Sequence, residues 1–460
     1  MAIPGRTHPR SAPAGLPPAP HAVAPAARRV AIVSASVGAG HDGAAAELER
    51  RLVADGFAVD RYDLLDLLPA GFGRAVRDGY HRMLVAAPWA YQRIYAGTER
   101  AGGSGPLARA LLRAAEDRVL RALRPDVGAV VSTYPGASRV LGELRRAGRL
   151  AVPVVTYLTD FSVHPLWVAD GVDVHLAAHA VPAAQARAAG ARDVRVCGPV
   201  TDPRFRPGGP DDRARARERF GLPAHASLAL LVAGSWGVGP VRQVARELRD
   251  CGAAVPVVVC GRNQALARQL RADGIEYVYG WVDDMPGLMQ AADVLVQNAG
   301  GLTSLEAFAT GLPVASYRCI PGHGPANAAA LDEAGTAVWI RDPADLKSAL
   351  SALVDGPLGL RQRAAGLGLF AHSPGDGPAA EIARLHRPGP PPPPPGPGPR
   401  RRPRARRLAL TTAAACAVWG CAVGTGVATT YGGPALLHTL GHDLDLARLA
   451  PALDEEGHHS

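Results

Sequence analysis

The chain has 460 residues, of which 47% are apolar and 20% are charged. This composition is typical of globular domains and excludes a wholly disordered polypeptide, and the length accommodates two or three domains of about 100–200 residues each. The formal net charge of +9 does not by itself indicate a nucleic-acid-binding surface, because six arginines within residues 400–407 supply a large part of it.

The cysteines and the first residues indicate a reducing compartment. Six cysteines are present without C-x-x-C spacing and without a histidine at zinc-finger spacing, so we predict free thiols that pack as small apolar side chains. Residues 1–27 are rich in proline and alanine and lack the apolar core of a signal peptide. We therefore expect a disordered start and a cytoplasmic globular part.

The first ordered element is predicted to be a βα unit. Residues 30–34 are an apolar run typical of a buried strand, residues 36–43 form a glycine-rich turn, and residues 44–53 favour a helix. The glycines of this turn match the spacing of the dinucleotide fingerprint G-x-G-x-x-G. A nicotinamide-dependent oxidoreductase therefore stays open on spacing alone.

Four more buried strands are predicted in the first half of the chain. They are expected at residues 127–132, 152–158, 172–177 and 194–198. The segment T-D-F-S-V-H-P-L-W (159–167) follows the second of these strands, at a carboxyl end where α/β ligand sites form. A polar connection begins at residue 206, so we predict a first domain at 28–206 and a second at 207–385.

The second half repeats the pattern of the first. Apolar strands are predicted at residues 228–232, 255–260, 275–279, 294–297 and 314–317, and a glycine turn follows the first of them. Two α/β halves of similar size, each with a glycine turn after its first strand, predict two Rossmann-like domains that face a cleft. Ligands of such proteins usually lie between the domains.

A second glycine turn in this half has the chemistry of a phosphate site. Gly300 and Gly301 turn the chain after a buried strand, and Thr303 suits the start of a helix predicted at 305–310. The unpaired N–H groups and positive dipole end of such a helix attract a phosphate. Glu306, one turn further on, would accept hydrogen bonds from vicinal hydroxyls such as those of a ribose.

Two stretches indicate contact with a membrane. Residues 71–121 interleave aromatic and arginine side chains, which suits a bilayer interface as well as a core helix with an arginine-decorated outer face. Further on, a proline-rich and basic linker (386–407) precedes an uncharged stretch (408–431) of ~24 residues, long enough for a helix to cross a hydrocarbon core of ~30 Å. We predict a C-terminal transmembrane helix there, followed by a tail at 432–460.

The arginines before that stretch set the expected orientation. Basic residues on one flank predict that the globular part lies on the cytoplasmic face of the cell membrane and the tail outside. The same position favours anionic membrane lipids over nucleic acid as the partner of the arginine cluster.

Several motifs, taken in order, resemble one family of lipid-forming glycosyltransferases. The family includes plant-type monogalactosyldiacylglycerol synthases and bacterial processive diacylglycerol glucosyltransferases, and it extends more distantly to the N-acetylglucosaminyltransferase of lipid-linked peptidoglycan precursors. The motifs are S-A-S-V-G-A-G-H (34–41), T-D-F-S-V-H-P-L-W-V (159–168), G-P-V-T-D-P-R-F (198–205), G-S-W-G-V-G-P-V (234–241), G-W-V-D-D-M (280–285), N-A-G-G-L-T-S-L-E-A (298–307) and P-G-H-G-P-A-N (321–327).

The resemblance implies a two-domain glycosyltransferase fold (GT-B) and transfer with inversion at the anomeric carbon. A UDP-sugar, usually a UDP-hexose, would bind the second domain, and a lipid acceptor such as diacylglycerol would approach the first. The alternatives that stay open are a UDP-N-acetylglucosamine-type transferase acting on another lipid-linked or polysaccharide acceptor, an epimerase of the same architecture, and a non-catalytic, membrane-tethered nucleotide-sugar-binding protein.

The resemblance also implies the residues of the donor site. The diphosphate would bind to Gly300, Gly301, Leu302 and Thr303, and Gly237 and Gly239 would lie behind the phosphates. The ribose would bind to Glu306, and the sugar would contact Asn327 and its loop. This sequence departs from the family in two places. It has Gly322-His323-Gly324 where glutamine and glutamate are common, and Ser235-Trp236 where small residues are common.

An inverting transfer needs a base for the acceptor hydroxyl and stabilisation of the diphosphate leaving group. Histidine exchanges protons near neutral pH, so His41 is the first candidate base, Asp160 the second, and His164 a possible orienting partner. Backbone amides at Gly300–Thr303 would receive the leaving charge. The one D-x-D sequence lies in the tail, so we predict no metal ion and no cofactor beyond the UDP-sugar substrate.

Overall fold

The protein is described by a computed structural model over residues 28–69, 72–100, 106–371 and 377–387. The predicted disordered start (1–27), most of the linker, the predicted membrane span (408–431) and the tail lie outside the described residues. Within the described ranges, no helix is long and apolar enough to cross a bilayer.

The first domain is a parallel sheet of six strands in the order β2-β1-β3-β4-β5-β6, flanked by helices. Its strands are β1 (Arg29–Ser34), β2 (Ala58–Asp63), β3 (Val127–Ser132), β4 (Val154–Tyr157), β5 (Val174–Ala177) and β6 (Val194–Val196). Its helices are α1 (Ala39–Ala54), α2 (Phe72–Ala86), α3 (Pro88–Arg100), α4 (Pro106–Ala122), α5 (Pro135–Arg146) and α6 (Ala180–Ala188), with a short 3₁₀ helix at Pro165–Trp167.

The second domain has the same plan, with six parallel strands in the order β12-β11-β10-β7-β8-β9. Its strands are β7 (Leu228–Val232), β8 (Val255–Val259), β9 (Tyr277–Tyr279), β10 (Val294–Gln297), β11 (Val314–Tyr317) and β12 (Val338–Ile340). Its helices are α7 (Pro210–Arg219), α8 (Val241–Cys251), α9 (Gln264–Ala272), α10 (Met285–Ala291), α11 (Leu302–Thr310), α12 (His323–Glu333), α13 (Leu346–Val354) and α14 (Pro357–Gly368), with a 3₁₀ turn at Pro343–Asp345.

The central strands of both sheets were predicted, whereas of the four edge strands β6 and β9 were predicted and β2 and β12 were not. All six residues of β3 and all four of β10 are buried, because helices cover both faces of a parallel sheet and leave a continuous apolar run in the sequence. The edge strands β2 and β12 are only partly buried and carry polar residues. Their sequences therefore lack the apolar run by which the other strands were recognised.

The topology places a cleft between the two sheets. In the first sheet the strand order reverses between β1 and β3, and in the second it reverses between β10 and β7. The loops that follow these strands diverge and leave a crevice at the carboxyl ends, which is where open α/β sheets bind ligands. Both crevices open into the same interdomain cleft.

The last described helix returns to the first domain. Helix α15 (Pro378–Leu385) packs against α1 and β3, and its Ala379 and Ile382 belong to the apolar cluster of the first sheet. The backbone N–H of Arg387 then donates to the carbonyl of Gly128. The sequence-based division assigns this helix to the second domain, because a crossing of this kind leaves no signal in local apolar periodicity.

The aromatic and arginine-rich segment forms three helices with two different faces. Tyr80 of α2 and Tyr91 and Tyr95 of α3 line the interdomain cleft. On the outside of α3, Trp89 is 54% exposed and the Arg93 guanidinium lies 5.5 Å from its ring centroid. The segment is therefore more than a core helix with a polar outer face, because its tyrosines belong to the cleft.

A buried histidine makes the first domain sensitive to acid. His175 of β5 is 2% exposed, and among the described residues neither ring nitrogen finds a well-aligned hydrogen-bond partner. Burial lowers the pKa of His175 to about 4, against ~6.5 in an unfolded chain. The unfolded state therefore binds the proton more readily than the folded state, and stability falls as the pH drops below ~6.5.

We predict that the free energy of unfolding falls by about 2 kcal/mol between pH 7.5 and pH 5 through this residue alone. Urea unfolding of the wild type and of His175→Leu at both pH values measures the difference. The variant should lose less stability than the wild type, whereas His225→Asn, at an exposed histidine, should behave as the wild type. An equal loss in His175→Leu would show that His175 does not carry the effect.

Candidate active site

A cavity of about 820 Å³ lies between the two domains. It is lined by His41, Asp160 and His164 from the first domain and by Gly300, Gly301, Leu302, Thr303 and Glu306 from the second. The structure thus brings these predicted site residues to one place, although more than a hundred positions separate the two groups in the sequence. The shared cavity is the candidate active site.

Helix α1 begins earlier than the sequence predicts. It starts at Ala39 rather than at residue 44, with Gly38 as its N-cap residue, so His41 lies in the first helical turn and not in a free glycine loop. The prediction was wrong because glycines in the motif were taken as helix breakers. Both glycines face Leu302 of α11, and the fit is tight at Gly43, where a Cβ would lie 2.5 Å from Leu302 Cδ2.

The hydrogen bonds of His41 define its tautomer. Its Nδ1 lies 3.0 Å from the Thr133 carbonyl oxygen and 2.8 Å from Thr159 Oγ1. A carbonyl oxygen accepts and does not donate, so Nδ1 must carry the proton. Nε2 is then the unprotonated nitrogen, and it is free to take a proton from a substrate. The edge of the Tyr134 ring holds the imidazole from the side, with the ring centroids 5.3 Å apart.

Asp160 lies at the carboxyl end of β4, next to Thr159. Its Oδ2 accepts a hydrogen bond of 3.1 Å from Trp167 Nε1, and the Trp167 ring centroid lies 5.9 Å from that of His41. Asp160 and His41 therefore share a neighbour, but the nitrogen of His41 that a carboxylate would orient is occupied by Thr133 and Thr159. Asp160 contributes a negative charge to the cavity rather than a direct bond to His41.

His164 lines the cavity but has structural partners on both ring nitrogens. Its Nδ1 accepts from the backbone N–H of Leu166 at 3.1 Å and caps the 3₁₀ helix Pro165–Trp167. Its Nε2 lies 3.1 Å from Thr98 Oγ1 on α3. Burial lowers the pKa of His164, so the ring is neutral and both nitrogens are engaged. The expectation that His164 orients a catalytic group does not agree with this geometry.

The start of α11 offers an anion site. The helix begins at Leu302 with Gly301 as its N-cap, and Gly300 takes a positive φ of 73° that suits glycine. Gln297 Oε1 accepts the N–H groups of Ala299 and Gly300. In the described residues the first-turn N–H groups of Leu302 and Thr303 have no backbone partner. These N–H groups carry partial positive charges and, together with the positive end of the helix dipole, face the cavity.

Glu306 is a carboxylic acid held in an apolar part of the same cavity. Burial raises the pKa of Glu306 to about 8, and the negative charge of Asp202 adds to the shift. Its carboxyl group has no hydrogen-bond or ion-pair partner among the described residues. An unpaired acid that faces a cavity is free to accept hydrogen bonds from two neighbouring hydroxyl groups.

Three of the predicted donor-site residues do not line the cavity. Gly237 and Gly239 have positive φ values of 63° and 104° and pack against Asn263 and Asn298, so they shape the loop after β7. Asn327 is fully buried, and its amide is committed: Oδ1 accepts from the N–H and hydroxyl of Ser162 at 2.7 and 2.8 Å, and Nδ2 donates to Ala299. It joins the two domains and leaves no group for a sugar.

Several aromatic residues of the cavity were missed as site residues. Trp281 lines the cavity with 52% of its surface exposed, and its Nε1 donates to Asp283. Its position in the motif G-W-V-D-D-M was the available signal. Tyr91 and His323 meet across the cleft at 3.2 Å, which no local pattern indicates. No group of three or more His, Cys, Asp or Glu side chains in the described parts of the chain has metal-site geometry.

Two family models match consecutive stretches of the chain. The model of monogalactosyldiacylglycerol (MGDG) synthases matches residues 41–200, and that of glycosyl transferases group 1 matches residues 237–356. Processive diacylglycerol beta-glucosyltransferases of Bacillus cereus and Bacillus pumilus are 29% identical over 261 residues and 27% identical over 247 residues. These alignments cover 53% and 52% of this chain and 63% of each relative, so the match spans less than two thirds of their length.

Solved structures share the fold. The glycotransferase of kitacinnamycin gives a TM-score of 0.52 at 18% identity, over 79% of this chain and 100% of that chain. Medicago truncatula UGT71G1 complexed with UDP-glucose gives 0.51 at 13% identity, over 78% and 97%. The predicted two-domain α/β fold of glycosyltransferases is confirmed. The chain is similar to MGDG synthases over residues 41–200, in agreement with the resemblance that its motifs indicated.

We predict that His41 is observed as the Nδ1–H tautomer, because the Thr133 carbonyl requires a donor at that nitrogen. Nitrogen-15 NMR of histidine-labelled protein at neutral pH should show a pyrrole-type shift for Nδ1 and a pyridine-type shift for Nε2. The spectrum of His41→Gln identifies the resonances. A proton on Nε2 instead would contradict the assignment of that nitrogen as the free base.

Proposed function

We propose that the protein is an inverting glycosyltransferase that moves a hexose from a UDP-sugar to a lipid acceptor, diacylglycerol or a close relative. One observation carries the proposal. The unprotonated Nε2 of His41 and the anion-binding start of α11 belong to the same cavity, one on each domain. A base and a site for a departing anion that face each other are what a direct displacement needs.

The donor half of the cavity suits a UDP-sugar. The first turn of α11 would bind the diphosphate, and Glu306 would accept hydrogen bonds from the ribose hydroxyls. Trp281, half exposed on the cavity wall, offers an aromatic face for the uracil ring. The solved neighbour Medicago truncatula UGT71G1 is complexed with UDP-glucose, and its fold supports this choice of donor without locating the ligand here.

The chemistry follows from the placement of the two groups. His41 Nε2 takes the proton of the acceptor hydroxyl as its oxygen attacks the anomeric carbon. The new carbon–oxygen bond forms as the bond to the diphosphate breaks on the opposite face, and the electron pair leaves with UDP. The amides of Leu302 and Thr303 receive the developing charge, so we propose that turnover needs no divalent cation.

An apolar branch of the cavity favours a lipid acceptor. It extends into the first domain beneath α2, α3 and α4, and its side chains include Leu65, Leu68, Met83, Leu84, Ile94 and Leu112. Acyl chains gain about 25 cal/mol per Å² of surface buried against such residues. The relatives from Bacillus carry the name processive diacylglycerol beta-glucosyltransferase, which supports diacylglycerol as the acceptor.

The proposed location is the cytoplasmic face of the cell membrane. It rests on the arginines at 400–407 and the uncharged stretch at 408–431, both outside the described residues. Anionic lipids would attract the arginines and bring the cleft to its acceptor. Incubating membranes that contain the protein with a panel of labelled UDP-sugars, and identifying the lipid that acquires label, tests the reaction. Absence of labelled lipid with every donor would contradict it.

We predict that His41→Ala lowers sugar transfer by about 10²–10⁴-fold, the range for loss of a general base, and leaves UDP affinity nearly unchanged. Initial-rate measurements with the preferred donor and calorimetric titration with UDP give the two quantities. The control is His225→Ala, which removes an exposed histidine and should retain full activity. Turnover that survives in His41→Ala would remove His41 from the mechanism.

We predict that UDP binds more tightly as the pH rises from 6.5 to 8.5, by roughly tenfold, because the ribose hydroxyls prefer the ionised carboxylate of Glu306, whose pKa is about 8.

In the protein without UDP, the same raised pKa has the opposite effect on folding stability. The folded state retains a proton that the unfolded state releases, so stability falls as the pH rises between about 4.5 and 8.

Calorimetric titrations of the wild type and of Glu306→Gln measure this pH dependence. The variant reports the ionisation of UDP itself, because its amide does not titrate. The wild type should show the additional rise and the variant should not. Parallel curves, with equal affinities, would rule out contact between Glu306 and the ribose.

A further inference from the structure

Helix α3 of the first domain contacts both the acceptor side of the cavity and a loop of the second domain. Its Tyr91, Ile94, Tyr95 and Thr98 line the cavity on the side of the acceptor. Its first turns also meet the loop before α12, the P-G-H-G segment of the second domain. On the neighbouring helix α2, the rings of Tyr80 and His81 meet Trp236 of the second domain. Helix α3 therefore bridges the two halves of the cleft.

The contact with Gly322 is specific in shape and in polarity. Gly322 takes a positive φ of 85°, and a Cβ at this position would overlap the Tyr91 ring. The backbone N–H of Gly322 donates to Gln92 Oε1 at 2.5 Å. The loop therefore needs a glycine where Tyr91 packs, and its peptide orientation is held by a side chain of the other domain.

The contact with His323 leaves one nitrogen for a substrate. Tyr91 Oη and His323 Nδ1 share a hydrogen bond of 3.2 Å, and the Tyr80 ring packs edge-on against Tyr91 with centroids 5.4 Å apart. His323 is the first residue of α12 and lines the cavity. With Nδ1 engaged, Nε2 is the nitrogen that remains for a sugar hydroxyl, because no described residue is recorded as its partner.

His323 lines the same cavity as the start of α11 and His41, the two groups between which a hexose would lie. The diphosphate site at the start of α11 and the base His41 bound the position of the anomeric carbon, which must come within about 3–3.5 Å of the attacking oxygen. Burial lowers the pKa of His323, and the nearby negative charge of Asp160 opposes that shift. The start of α12 is fixed against the start of α11, since Asn327 packs on Gly300.

We propose that Tyr91 and Gln92 are positioning residues for the donor sugar: they hold Gly322 and His323 so that His323 Nε2 meets a hydroxyl of the hexose. The proposal rests on the proposed function and adds a partner to its donor site. The hexose subsite belongs to neither domain alone, whereas the UDP subsite is built by the second domain. Choice of hexose then depends on closure of the first domain over the loop.

The test uses the full-length protein in membranes and four variants of α3. Tyr91→Phe keeps the ring and removes the hydroxyl, and Gln92→Met keeps the length of the side chain and removes the acceptor. Gln92→Glu retains an acceptor oxygen and serves as the conservative rescue. Arg100→Gln is the matched control, because Arg100 is exposed and its side chain bonds to a carbonyl of its own helix. Thermal unfolding of each variant reports its stability.

Three quantities are measured for each protein: affinity for UDP, and kcat/KM with UDP-glucose and with UDP-galactose. We expect Tyr91→Phe and Gln92→Met to lower kcat/KM for the preferred sugar about 5–10-fold, the value of one hydrogen bond. The preference between the two epimers should fall by a similar factor, and UDP affinity should stay within twofold of the wild type. Gln92→Glu and Arg100→Gln should retain the preference.

Two results would overturn the inference. Variants with wild-type sugar preference would show that α3 does not position His323. A loss of UDP affinity as large as the loss of kcat/KM would show that Tyr91 and Gln92 stabilise the cleft in general. A wild-type protein that neither binds UDP nor labels any lipid would instead refute the proposed function and the inference with it. The two failures are therefore distinguishable by the wild type alone.

Discussion

The cleft depends on the close approach of two helix N-termini. The first turn of α1, with Gly40 and Gly43, packs against Leu302 at the start of α11. Both helices present the positive end of their dipoles and unpaired N–H groups to the same space. An anion between them relieves the repulsion of the two positive ends, which is the electrostatic situation of a bound diphosphate. Glycine at position 43 leaves room for the Leu302 side chain, which would have to move to admit a Cβ there.

The hydrogen bonds recorded across the cleft in the described residues join neutral groups, and they lie beside apolar packing of Phe161 and Val181 on the core of the second domain. Ser162 bonds to Asn327, Gln92 to Gly322, and Tyr91 to His323. A neutral hydrogen bond contributes on the order of 1 kcal/mol, much less than the apolar core within either sheet. These hydrogen bonds can therefore break without disrupting the apolar core of either domain.

Burial shapes the chemistry of the site residues in opposite ways. It raises the pKa of Glu306 and lowers the pKa of His164 and His323, so that all three favour their neutral forms in an empty cleft. The hydrogen-bond partners of His41 are a carbonyl and a hydroxyl, which select one tautomer of its ring. A carbonyl orients the ring without adding a second negative charge beside Asp160.

The sequence was sufficient for the strands and for the phosphate turn. Continuous apolar runs located the central strands, and the Gly300-Gly301 turn was correctly placed before a helix, because both are local properties. The predicted start of α1 was wrong, because Gly40 and Gly43 lie inside the helix, where they pack on α11. The structural roles of His164 and Asn327 also escaped prediction, because their partners Thr98 and Ser162 lie far away in the chain.

The sequence by itself determined two α/β halves, the order of their strands along the chain, and the residue types from which a transferase site is made. Only the tertiary structure decided which of those residues face the cavity, which nitrogen of His41 is free, and that α15 crosses back to the first domain. The physical reason is that apolar periodicity and turn chemistry act over a few residues. Tautomers, pKa shifts and contacts across the cleft arise from groups that meet only when the two domains pack together.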